Sequence, residues 1–115
     1  MKDLNGKISY RGKEYRLVFN LNVMERIQDE YGSISAWGEK TESKNGEPNA
    51  KAVIFGFTEM LNEGIDISNE ENGTNDAPLT LRQVGRMITE VGMGQATDTL
   101  QRTVIESTKV ESKNE

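Results

Sequence analysis

The spacing of the apolar residues changes once, near Phe19, and that change sets what the chain can build. Before it, in "KISYRGKEYRLVF" (residues 7–19), Ile8 and Tyr10 alternate with polar neighbours, as do Tyr15 and Leu17. A period of two gives one half-buried strand face, and Gly12 in Arg11-Gly12-Lys13 suits the positive φ of a tight turn. The segment therefore predicts a β-hairpin, which is marginal in water unless one face packs on something else. After the change, in "FNLNVMERIQDEYGSISAW", Leu21, Met24, Ile27 and Tyr31 fall three or four apart, as on one helix face. This spacing predicts a helix over about 21–31 with Gly32 at its end. Asn20 or Asn22 can cap its start, and Asn22 with Glu25 has the spacing of a capping box.

The rest of the chain reads as helices between polar connections. Ser33 to Gly38 predicts a single turn capped by Ser35, with Trp37 near the first helix, and Glu39 to Glu47 is a polar loop. Pro48 fits the first turn of a second helix that runs to about Glu63, with Gly64 as its cap. Val53, Ile54, Phe57, Met60 and Leu61 form its apolar face while Phe55 points elsewhere, so this helix is either central in the core or part of an interface. "DISNEENGTNDAP" (residues 66–78) has almost nothing to bury and predicts a mobile loop. Thr80 with Gln83 makes a capping box, and Leu81, Val84, Ile88 and Val91 give a helix ending near Gly92. Ala96, Leu100 and Val104 predict a last helix that fades around Thr108. The expected fold class is α+β: an N-terminal β-hairpin followed by three to four packed helices, a polar loop near 65–78 and a disordered C-terminal tail. Residues 1–108 form one domain and 109–115 the tail.

Composition narrows the chemistry. The chain has no cysteine and no histidine, which removes thiolate nucleophiles, disulfides, the usual zinc ligands and the commonest general base. Its net charge is -5, and the acidity is central: residues 47–78 hold seven carboxylates against one cation, Lys51. A basic face for nucleic acid or an anionic membrane is missing there. No apolar stretch reaches the roughly 20 residues of a membrane span, and "MKDLNGKISY" lacks the apolar core of a signal peptide, so an intracellular protein is expected.

Motifs that suggest chemistry fail on inspection. Placing Gly73 at the glycine of an EF-hand loop puts Ser68 first and Leu79 where the bidentate Glu belongs, so no metal is expected. "NGT" at Asn72 matches a glycosylation sequon with no secretory context, and "GMGQAT" at Gly92 follows a helix and lacks the third glycine of a dinucleotide turn. A helix-turn-helix reading would use Gln95 to Arg102, where Arg102 is the sole cation and Asp98 opposes it. Glu25, Asp29 and Glu30 read as a solvated helix face rather than an acid–base pair, with Arg26 placed to pair with Glu30. The expectation is no enzyme and no cofactor. Met24, Met60, Met87 and Met93 add the adaptable side chains of surfaces that accept varied partners.

The block "GKEYRLVFNLNVMERIQDEYGSI" resembles the N-terminal region of tail assembly chaperones from long-tailed bacteriophages and prophages of Gram-positive bacteria. The resembling parts are the strand ending in Phe19-Asn20-Leu21, the helix carrying Met24, Glu25 and Ile27, and the close at Tyr31-Gly32-Ser33-Ile34. "KAVIFGFTEMLNEG" and "LTLRQVGRMITEVG" are similar to the later helices, so the resemblance covers about residues 4–108. It implies a binding function in the cytoplasm of the host bacterium: several copies hold the aggregation-prone tape measure protein in solution until tail tube subunits polymerise around it. The major tail tube protein is then a second partner, a homo-oligomer is compatible, and the chaperone is absent from the mature virion. The expected client contacts are Phe55, Phe57, Met60 and Leu61; Phe19, Leu21, Met24, Ile27, Tyr31 and Gly32 form a structural signature joining hairpin to helices. The competing readings are a connector or tail-completion subunit and a small DNA-binding regulator.

Overall fold

The computed structural model describes residues 6–42 and 47–113, with side-chain surroundings through residue 108. It is α+β, with a two-stranded antiparallel hairpin followed by five helices. Strands β1 (Lys7–Tyr10) and β2 (Lys13–Arg16) pair with Ile8 opposite Tyr15, and the connecting Arg11 and Gly12 both adopt positive φ. That is the backbone a two-residue hairpin turn requires to match strand twist. Past β2 the chain stays extended: the Leu17 N–H donates to the Gly6 carbonyl at 2.8 Å.

Helix α1 (Leu21–Tyr31) has the predicted bounds. Asn20, not Asn22, is its cap, accepting from the Val23 N–H at 3.2 Å. Both asparagines donate to Glu63 Oε2, at 2.8 and 3.1 Å, which ties the start of α1 to the next long helix. The buried residues of α1 are Val23 and Ile27, flanked by half-buried Met24 and Tyr31. Leu21 is not on that face: it is 73% exposed. At about 100° per residue, Leu21 lies roughly 110° from the middle of the arc that Val23, Met24, Ile27 and Tyr31 share. Gly32 ends the helix at φ 91° as expected.

Helix α2 (Ile34–Thr41) makes the fifth helix where a single turn was expected, and its cap is Ser33 rather than Ser35. Trp37 is buried; its Nε1–H donates to the Ala52 carbonyl at 3.0 Å and its ring lies over Gly56, where a Cβ would collide with it. Helix α3 (Ala50–Asn72) is capped by Asn49, with Pro48 just outside the helix instead of in its first turn. It also runs nine residues beyond the expected end at Glu63. Gly64 is not a cap. It lies in mid-helix without positive φ, and a Cβ there would meet the Arg16 carbonyl oxygen at 2.5 Å. The missing side chain lets β2 press against the helix, and the Val18 N–H donates to the Met60 carbonyl at 3.2 Å. The true cap is Gly73, left-handed at φ 65°, so the connection expected near 65–78 starts only there.

Helix α4 (Leu81–Val91) has the predicted Thr80–Gln83 capping box and the Gly92 stop. Val84, Met87 and Ile88 face inward, whereas Leu81, expected on that face, is 56% exposed at the first helical position. Helix α5 (Met93–Lys113) buries Ala96, Leu100, Thr99 and Thr103 and half-buries Val104. Of the expected tail, 109–115, the backbone continues helix α5 to Lys113, past the expected fade at Thr108, and residues 114 and 115 lie outside the described residues. Helix α3 packs against β2, α1, α2, α4 and α5, and Phe57, Met60 and Leu61 on it are fully buried with Leu17, Ile27, Met87 and Leu100 around them.

Candidate functional site

The four residues expected to touch a client part company. Phe57, Met60 and Leu61 are fully buried in the core, so in this fold they hold α3 in place and reach no partner. The periodicity that suggested an interface arises because α3 is surrounded on several sides. Phe55 differs: it is half-buried, edge-to-face with Tyr31 at a centroid distance of 5.6 Å. Among the signature residues, Phe19 and Ile27 are buried, Met24 and Tyr31 half-buried, and Leu21 exposed. The large apolar side chains left in water among the described residues are Leu21, Leu81 and Ile105, one each on α1, α4 and α5. Such surface residues suit shallow binding of an amphipathic chain, because apolar area there is still open to be covered.

The Tyr31 hydroxyl is buried without a hydrogen-bond partner. Burial, and then the charge of Glu30 beside it, raises the Tyr31 pKa above the ordinary tyrosine value. Glu25, Asp29 and Glu30 are all exposed on α1. Arg26 pairs across to Glu59 on α3 at 3.6 Å. On α5, Arg102 lies 3.3 Å from Asp98, which offsets the cation a DNA reader would present. Among the described residues no cluster of acidic side chains could hold a metal ion, and no helix is long and apolar enough to cross a membrane.

A cleft of about 350 Å³ opens between β2, the second half of α3 and the connection to α4. Arg16, Lys13 and Lys7 line one side with Glu14; Gly64, Ile65 and Ser68 form the floor; Asp76, Ala77 and Leu79 form the far wall. The floor exists because α3 continues past Gly64, and the far wall because two asparagines on α3 fix the connection. The Asn62 side chain both accepts from the Leu79 N–H (2.8 Å) and donates to the Leu79 carbonyl (3.0 Å), as a paired strand would. Two turns on, Asn69 does the same with Asp76 and also accepts from the Thr74 hydroxyl. The stretch 66–78, expected as a mobile loop, is instead helical to Asn72 and then held to α3 by these asparagines. Its only sequence signal was the seven-residue spacing of Asn62 and Asn69, which places both on one face of a helix. Arg16 gave no signal at all.

Comparison of the chain with family models, curated proteins and solved structures gives no match. The residues themselves therefore carry any functional reading. The described residues present large apolar side chains on three helices, a half-buried aromatic pair and a mixed-charge cleft.

Proposed function

We propose that the protein is a non-enzymatic tail assembly chaperone that holds a phage tape measure protein in solution in the host cytoplasm until tail tube subunits replace it. The observation that carries this reading is the continuity of the resembling block, residues 12–34: strand β2 runs on through an extended stretch into α1, closed at Gly32. Support also comes from Leu21, Leu81 and Ile105, exposed on helices whose inner faces are already fully packed. A holder of a long amphipathic chain needs dispersed apolar contacts that release easily, and a net charge of -5 keeps it soluble meanwhile.

Co-expression with the tape measure protein tests the reading, with soluble yield of the client as the measure. A clear rise is expected, and no rise would overturn the proposal. Mass spectrometry of purified virions separates the chaperone from a connector or tail-completion subunit: a chaperone is absent, whereas a stoichiometric signal assigns the chain to the particle.

A further inference from the structure

Asn72 and Gly73, the first two residues of the glycosylation-like "NGT", meet where α3 ends. Both are exposed, and nothing lies within 4 Å of where a Cβ on Gly73 would stand, so no neighbouring side chain shields the peptide between them. In an Asn-Gly sequence the glycine nitrogen can attack the asparagine Cγ, because glycine puts no side chain in the way. Here the attack is held back. The Gly73 N–H donates to the Asn69 carbonyl, and so does the Thr74 N–H at 3.1 Å. The Asn69 side chain meanwhile holds the Thr74 hydroxyl and the Asp76 backbone. Asn72 is the last residue of α3, and closing a ring onto its Cγ needs the Gly73 peptide plane turned out of the helical setting. That turn breaks the bond from Gly73 to the Asn69 carbonyl.

We propose that Asn72 is a site of spontaneous deamidation gated by Asn69. The Gly73 nitrogen gives up its proton and bonds to Asn72 Cγ; the Cγ–Nδ2 bond breaks and ammonia leaves, which produces a cyclic imide. Water then opens the imide at either carbonyl, to aspartate or isoaspartate, and no other reactant is needed. Either product puts a new carboxylate at the C-terminus of α3, the negative end of the helix dipole, beside Glu70 and Glu71 and with no basic residue in the last turn. Isoaspartate also adds a methylene to the main chain between Asn69 and Thr74. Conversion therefore releases Thr74 and Asp76 from Asn69, while the two bonds between Asn62 and Leu79, one and a half turns or more away along α3, stay in place. The site is independent of the client surface proposed above.

The experiment ages the full chain beside an acetylated, amidated peptide of residues 67–77, too short to hold a helix alone, in the same mildly alkaline buffer. Peptide mapping by mass spectrometry, with isoaspartyl methyltransferase as a second readout, gives the converted fraction at each asparagine. Among Asn62, Asn69, Asn72 and Asn75, Asn72 is expected to convert first. Its rate in the folded chain should be at least about threefold below that in the peptide, because attack waits for the last turn of α3 to open. Asn69→Ala should raise the rate in the folded chain at least about twofold. In converted protein, exchange of the Thr74 and Asp76 amides should quicken while that of Leu79 holds. First conversion at another of these asparagines, or an intact Asn72 long after the peptide has reacted fully, overturns the site. Equal rates in chain and peptide, or an unchanged rate in Asn69→Ala, overturn the gate, and unaltered Thr74 and Asp76 exchange overturns the release. Should Asn69→Ala fail to fold, the native chain against the peptide still decides.

Discussion

Glycines in α3 and α4 that look alike in the sequence face opposite surroundings. At Gly64 an added methyl would collide with the Arg16 carbonyl, a backbone atom that cannot swing aside, while at Gly85 the nearest group is Ile54 Cδ1 at an ordinary 3.6 Å. Gly64→Ala should therefore cost about 1–3 kcal/mol through overpacking in spite of its better helix propensity. Gly85→Ala should stabilise by up to about 1 kcal/mol. Denaturant midpoints of the two variants check both signs together. Tyr31 gives a pH-dependent case. Its pKa is raised in the folded chain, so the unfolded state ionises first as pH rises. Stability from this residue is then complete below about pH 10 and declines as pH climbs through the folded value. Tyr31→Phe should remove that part of the alkaline decline, and because the hydroxyl has no partner it should stay within about 1 kcal/mol of the native chain at neutral pH. Unfolding midpoints measured at pH 8 and pH 10.5 test it.

At the scale of elements, Asn62 does what a neighbouring strand would do for Leu79. Asn62→Ala should cost about 1–2 kcal/mol by stranding a donor and an acceptor of a half-buried segment, and exchange of the Leu79 amide should quicken. Asn69→Ala, whose partners are exposed to water, should cost less than about 1 kcal/mol. These contacts also show where the sequence stopped being legible. Local devices could be read directly: the Gly12 turn, the bounds of α1, the Thr80–Gln83 box and the stop at Gly92 depend on residues within one turn of each other. Two kinds of error came from meaning that is not local. Gly64 has the composition of a helix end, and only the approach of β2, nearly fifty residues earlier in the chain, makes it a notch in mid-helix. Leu21 and Leu81 fit an apolar spacing, yet each sits at the first position of its helix, and the faces that pack are set by Val23 and Ile27 and by Val84, Met87 and Ile88. The expected client residues failed for the same reason: periodicity shows that Phe57, Met60 and Leu61 are apolar neighbours but not that five elements enclose them. The cleft was unreadable, since its three walls come from β2, α3 and the stretch before α4.

For the whole molecule, the proposed role turns on what remains outside the core. Replacing Leu21, Leu81 and Ile105 together by lysine should leave the fold within about 1 kcal/mol of the native chain, because each is already exposed. Client solubilisation in co-expression should fall at least several-fold, and an unchanged yield would remove these residues from the contact surface. Circular dichroism of the same variant guards against a loss caused by unfolding. The clamped connection between α3 and α4 bears on how such experiments can be built. An exposed stretch rich in Gly, Asn and Asp is where an engineer would first insert an epitope tag or a circular-permutation break. Here Thr74, Asp76 and Leu79 are each fastened to α3 at a set spacing, and the residues between fastenings are one or two at a time. An added residue has nowhere to bulge without detaching a fastening. The segment is measured to length, so tags and fusions belong elsewhere on the chain.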